Sequence, residues 1–167
     1  MKAIVAINNN GTIGHEGDIP WHSPNDLKHF KEKTKYSTCL ISRKTYDSLP
    51  QSMKTSKDTR TYLIVSRDPN KGISLKQALD RKPDWIIGGG EIYKQTLHLC
   101  KELHLSIIDN NYVGDTKFPL KVLGDREVLG HRVIGFGGRL ITYYFNEAER
   151  GITIKNKNEE TVVGKEE

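Results

Sequence analysis

Short β-branched runs alternate with segments of helical character through the first two thirds of the chain, and this alternation limits the fold more than any other feature of the sequence. Runs over residues 3–7, 38–41, 61–65, 85–87 and 103–108 are rich in Ile, Val and Leu and stop at polar residues or glycine, as strands do. Segments over 24–33, 43–49, 75–81 and 91–100 lie between them, each opening after a polar or glycine boundary suited to a helix start. Strands joined through helices make crossovers, so the expected architecture is a single α/β domain, with a mostly parallel sheet flanked by helices. Two later runs, 132–136 and 140–145, are joined around Gly137-Gly138 with hairpin spacing. They make the sheet mixed, with an antiparallel C-terminal edge.

A chain of 167 residues can bury a sizeable core in one domain, here expected over 1–147. Residues 148–167 read as a polar tail, in which Ile152 and Ile154 alternate with polar neighbours and leave room for one extra edge strand. The glycine-containing stretch 8–22 reads as a long loop, where a cover over an active site would sit, and 51–59 reads as a surface loop. The net charge of +5 favours anionic partners, but the basic residues are scattered, so no nucleic acid is expected. Cys39 and Cys100 form no C-x-x-C pair and read as the packed, reduced thiols of a cytoplasmic protein. The apolar run 3–7 ends at Asn8-Asn9-Asn10-Gly11, too short for a signal or a membrane span, so a soluble protein with no membrane partner is expected.

Candidate chemistry gathers in four places. Asp26 lies among Trp21, Leu27 and Phe30, an expensive setting for a charge. Ser23-Pro24 reads as an N-cap and first helical position, which puts Asp26 in the first turn and Phe30 one turn further on. Two readings stay open: a capping box between Ser23 and Asp26, or an acid with a tuned pKa. The other three places are strand ends, namely Ser42-Arg43-Lys44-Thr45, Ser66-Arg67 and Gly88-Gly89-Gly90. Open α/β sheets bind ligands at the carboxyl ends of their strands, and bare glycine N–H groups can approach a pyrophosphate. Arg43 and Arg67 together suit the extra ribose phosphate of NADPH, and Arg60, just before a strand, suits a carboxylate.

These segments fall in an ordered series: Ile13-Gly14, Pro20-Trp21, then Asp26 with Leu27 and Phe30; Arg43-x-Thr45-Tyr46-x-Ser48; Arg60 with Val65-Ser66-Arg67; Ile87-Gly88-Gly89-Gly90-x-Ile92-Tyr93; Gly114-Asp115-Thr116-x-Phe118-Pro119. The series, covering residues 3–119, resembles the motifs of the dihydrofolate reductase family. The resemblance implies that family's fold and the NADPH-dependent reduction of 7,8-dihydrofolate to 5,6,7,8-tetrahydrofolate, with hydride passing to pterin C6 and a proton to N5. It makes Asp26 the catalytic residue, holding the pterin amino group and ring nitrogen. Val5, Ala6, Leu27, Phe30, Leu49, Ile87, Tyr93 and Ser106 become substrate residues, with Arg60 on the glutamate carboxylate. The implied cofactor residues are Ala6, Ile13, Gly14, Ile19, Trp21, Arg43, Lys44, Thr45, Ser66, Arg67, Ile87, Gly89, Gly90, Glu91, Ile92 and Tyr93. A cis linkage at Gly88-Gly89, a tie from Asp115 to the cover loop, a monomer, no metal, and antifolate inhibitors as further ligands also follow. The chain departs from the pattern at Ser42, where glycine is usual, at Ser106, where threonine is usual, and at Glu91, where some members carry a cation. The alternatives are a riboflavin-precursor reductase of the same fold and a non-catalytic structural protein that binds pterin or dinucleotide.

Overall fold

The structure is a computed structural model and describes residues 1–14, 24–55, 59–119, 130–133 and 138–144. Five strands run parallel: β1 (Lys2–Asn8), β3 (Thr38–Ser42), β4 (Thr61–Val65), β5 (Trp85–Ile86) and β6 (Glu102–Ile108). The hairpin of β8 (Gly130–Val133) and β9 (Gly138–Tyr144) adds antiparallel pairing, giving a sheet ordered β4-β3-β5-β1-β6-β9-β8. The mixed sheet with an antiparallel C-terminal edge is the one the strand spacing predicts. The helices are α1 (Pro24–Thr34), α2 (Arg43–Ser48), α3 (Gln51–Thr55), α4 (Leu75–Asp80) and α5 (Gly90–Thr96). A short pair, β2 (Thr12–Gly14) with β7 (Thr116–Lys117), stands apart from the main sheet.

Both faces of the central strands are buried, and the period of two sorts their side chains between them. Ala3, Val5 and Ile7 join Leu40, Leu63, Ile86, Leu103 and Leu105 in one cluster, covered by Ala78 of α4 and by Ile92 and Tyr93 of α5. Ile4, Cys39, Ile41, Trp85 and Ile87 form the other, covered by Phe30 of α1 and by Tyr46 and Leu49 from α2 and its C-cap. Cys39 and Cys100 are both buried and free, and burial pushes each thiol up to about 12.

Four boundaries differ from the sequence expectation. The stretch 51–59 is not all loop: Gln51–Thr55 is α3, whose Met53 is 2% exposed and whose Met53 carbonyl accepts the Tyr62 hydroxyl at 2.8 Å. One buried Met in a polar segment gives no periodic signal, so only the tertiary anchor reveals the helix. The 8–22 loop likewise contains β2, held by pairing to β7 from far along the chain. The 91–100 segment is α helix only to Thr96 and then tightens into a 3₁₀ turn at Leu97–Leu99. The expected strand 132–136 begins earlier, at Gly130. Residues 15–23, 56–58, 120–129, 134–137 and 145–167 lie outside the described residues, and with them Ile19, Trp21, Ser23 and the tail. Among the described residues no helix is long and apolar enough to cross a membrane.

Candidate active site

The three strand-end clusters come together because β4, β3 and β5 are neighbours in the sheet. Ser42 pairs in register with Val65, so Ser42-Arg43 and Ser66-Arg67 emerge side by side. On the other flank Ile87 N–H donates to Leu40 O at 2.9 Å and Ser42 N–H donates to Gly88 O at 2.8 Å, drawing the glycine turn against the end of β3. The Gly88-Gly89 peptide is cis and Gly88 has φ +121°. A Cβ at Gly89 would lie 2.9 Å from Thr45 Oγ1, and one at Gly90 would lie 2.9 Å from Thr116 Cγ2 and 3.8 Å from Ile13 Cδ1. Bare backbone is therefore required where α2, β2 and β7 converge, and Ile13-Gly14 joins the same corner.

The expected phosphate ligands are not all equally poised. Arg43 Nε donates to Asp47 Oδ2 at 3.0 Å along its own helix, in an exposed pair worth little by itself. Lys44, Arg67 and Glu91 are exposed, Ser66 Oγ accepts from Asp68 N–H at 3.1 Å, and Thr45 is half-buried. Ile92 and Tyr93 are buried side chains. The Tyr93 hydroxyl donates to Ile4 O at 2.6 Å, and its ring meets Phe118 edge-on at 5.3 Å. Burial pushes the Tyr93 phenol up, and the Cys100 thiol and the Asp26 charge add to that.

Asp26 sits on the other side of β1. Ser106 of β6 pairs in register with Ala6, is 1% exposed, and hydrogen-bonds the Asp26 carboxyl. Burial raises the Asp26 pKa above its usual 3.8, and the Ser106 bond opposes that rise. Phe30, Leu49 and Ile87 belong to one apolar cluster, with Leu27 half-buried beside Asp26 on α1. Val5 faces the opposite cluster, so it presents only main chain to this side. Arg60 is tied to the end of α1: Nε donates to Thr34 Oγ1 at 2.9 Å, and Nη2 donates to the Lys31 carbonyl. The same sheet face buries His104, whose Nε2 meets Glu102 Oε1 at 2.9 Å and whose ring packs on Trp85. Burial lowers its pKa, against the pull of Glu102. The Ser23 side of the proposed capping box lies outside the described residues.

Sequence reasoning missed a polar clasp that positions the β2–β7 corner. Asn8, 1% exposed, donates to Asn110 Oδ1 at 2.9 Å and to Tyr112 O at 2.6 Å. Its Oδ1 accepts Asn10 N–H at 2.9 Å and Thr12 N–H at 3.0 Å. Asn9 Nδ2 donates to Asp109 Oδ1 at 2.7 Å, and Asn10 Nδ2 donates to Asn111 O at 2.8 Å. The signal was present in two amide-rich triplets, Asn8-Asn9-Asn10 and Asp109-Asn110-Asn111, but nothing local pairs them.

A family model described as dihydrofolate reductase matches residues 1–126. A dihydrofolate reductase from Mycoplasma genitalium is 35% identical over 161 residues, spanning 86% of this chain and 96% of the relative. One from Buchnera aphidicola subsp. Schizaphis graminum is 37% identical over 126 residues, spanning 71% of this chain and 78% of the relative. The solved dihydrofolate reductase from Enterococcus faecalis, complexed with NADP(H) and RAB-propyl, superposes with a TM-score of 0.72 at 28% identity, covering 87% of this chain and 96% of that one.

Proposed function

The chain belongs to the dihydrofolate reductase family, and we propose that Asp26 and the glycine turn are the two centres of its NADPH-dependent reduction of 7,8-dihydrofolate to 5,6,7,8-tetrahydrofolate. The observation that carries this reading is a half-buried carboxyl, raised in pKa and bonded to Ser106, above an apolar cluster of Phe30, Leu49 and Ile87. Such a group accepts N–H bonds from a pterin amino group and ring nitrogen while the apolar walls pack its ring. Burial raises its pKa, which makes the carboxyl a readier proton source than an exposed aspartate, and a water at the ring edge passes the proton to N5. Leu27 and Phe30 exclude stray solvent, and Arg60, held by Thr34 and Lys31, offers a fixed guanidinium beside the last turn of α1 to the glutamate carboxylate.

The residues at the strand ends fit NADPH. Gly89 and Gly90 leave room for a pyrophosphate, Thr45 and Ser66 supply hydroxyls, and Arg43, Lys44 and Arg67 supply positive charge. When bound, the cofactor supplies the hydride for pterin C6. Ala6 of β1 and Ile87 just past the neighbouring β5 would border the nicotinamide, with Ile13 and Gly14 of β2 as further cofactor residues. Ile92 and Tyr93 act through their backbone and as the floor under the turn, and Ile19 and Trp21 belong to the cover. Glu91, exposed in the first turn of α5, opposes added negative charge there. We further propose a cytoplasmic protein that works as a monomer, one chain supplying both the substrate and cofactor residues, with antifolates of pterin-like shape as ligands of the same site.

The test is NADPH absorbance loss with and without dihydrofolate, in the wild type and in Asp26→Asn. Dihydrofolate-dependent oxidation should fall by about 10²-fold or more at pH 7 in the variant, within the range of a lost acid–base group. NADPH binding should persist. Equal turnover in both proteins would remove Asp26 from the chemistry.

A further inference from the structure

We propose that the Ser42 hydroxyl is a positioning group for the cofactor phosphates, aiming the Thr45 hydroxyl outward through a hydrogen-bond relay that begins at Gly89. This rests on the reading that the glycine turn and α2 bind NADPH. Ser42 ends β3 and caps α2 with extended backbone, φ −74° and ψ 154°. Its main-chain N–H donates to Gly88 O at 2.8 Å, and its Oγ accepts Gly89 N–H at 3.3 Å, so one residue grips both polar groups of the Gly88-Gly89 peptide. The same Oγ accepts Thr45 N–H at 3.3 Å and gives its single proton to Thr45 Oγ1 at 2.9 Å. Both lone pairs and the proton are thereby used.

The direction of that last bond decides the function. Because Ser42 Oγ accepts from two N–H groups, its own proton points to Thr45 Oγ1, and the Thr45 hydroxyl proton meets no acceptor among the described residues. Thr45 Oγ1 also lies 2.9 Å from where a Gly89 side chain would begin, at the bare spot left for a phosphate. The chain Gly89 N–H to Ser42 O–H to Thr45 O–H is thus a line of donors, each polarised by the one before, ending in a hydroxyl available to an anion. A residue without a hydroxyl at this position keeps the N–H bond to Gly88 and loses the relay. Thr45 is then free to turn, and must be ordered each time a phosphate arrives.

The measurement is the dissociation constant for NADPH and for NADP⁺ in the wild type, Ser42→Ala and Ser42→Thr, alongside kcat, KM for NADPH and affinity for dihydrofolate. Ser42→Ala should weaken both cofactor forms and raise KM for NADPH about fivefold, the size of one net hydrogen bond. At saturating cofactor kcat should fall by less than that, and dihydrofolate affinity should hold. Ser42→Thr, which keeps the hydroxyl and is a sound N-cap, should recover most of the loss. Unchanged cofactor affinity in Ser42→Ala overturns the proposal, as does equal loss in both variants or parallel loss of dihydrofolate affinity, which would mean a general loosening. A wild type that binds dihydrofolate but no NADPH removes the parent reading instead, and the relay with it.

Discussion

Asp26 meets two opposed demands. On the proposed reading its carboxyl holds a substrate ring beside the apolar cluster of Phe30, Leu49 and Ile87, and burial there penalises its charge. With the folded pKa raised above 3.8, the unfolded chain gives up this proton more readily than the native state does. The penalty is therefore full above the folded pKa, shrinks as pH falls through it toward 3.8, and is absent below. Asp26→Asn should melt higher than the wild type at pH 7, with the gap closing as pH approaches 4; equal melting temperatures at pH 7 would mean that the site tolerates the charge at no cost. The sequence marks Asp26 by its aromatic neighbours. It does not mark the Ser106 bond, because that partner comes from β6 and meets Asp26 only once β6 pairs with β1.

Among the elements, the glycine turn between β5 and α5 is the one whose composition reports its geometry most directly. Gly89→Ala would put a Cβ 2.9 Å from Thr45 Oγ1, a short β-branched side chain on a capped helix with little freedom to retreat. NADPH affinity should fall by about tenfold or more, roughly 1.4 kcal/mol, while dihydrofolate binding persists. Titration of each ligand separately checks this, and an unaffected NADPH constant would show that the turn yields. The strands β1, β3, β4 and β6 were readable from their β-branched runs to within a residue at either end, and α1 from its boundary at Pro24. The short elements were not. β2, β7 and α3 bury too few side chains to show a period, and long-range contacts hold them: β2 and β7 pair with each other, and α3 is anchored through Met53 and Tyr62.

At the scale of the whole molecule, Asn8 joins the end of β1 to the segment after β6. Its four hydrogen bonds serve the N–H groups of Asn10 and Thr12, the latter buried, and two oxygens on a segment about a hundred residues away in the chain. Asn8→Ala takes the acceptor from the Asn10 and Thr12 N–H groups, while Tyr112 O keeps Asn10 Nδ2 and Thr12 Oγ1 and Asn110 Oδ1 keeps Tyr112 N–H, and should destabilise the protein by about 2 kcal/mol. Amide exchange should quicken at Asn10 and Thr12, whose N–H groups donate to Asn8 Oδ1; protection and denaturation midpoint both equal to the wild type would show that water replaces the amide without cost.

The sequence by itself determined the class of the sheet and marked one acid among aromatic neighbours and three strand ends carrying hydroxyls, cations or glycines, because these follow from local periodicity, from charge against apolar surroundings and from glycine where backbone must lie bare. Strand order was decided in three dimensions. Inserting β5 between β3 and β1 sets the glycine turn against Ser42 and Thr45, and pairing β6 with β1 sets Ser106 beneath Asp26. These contacts join residues far apart in sequence, and the free energy that selects them is that of burying both faces of one sheet together, which no single segment carries.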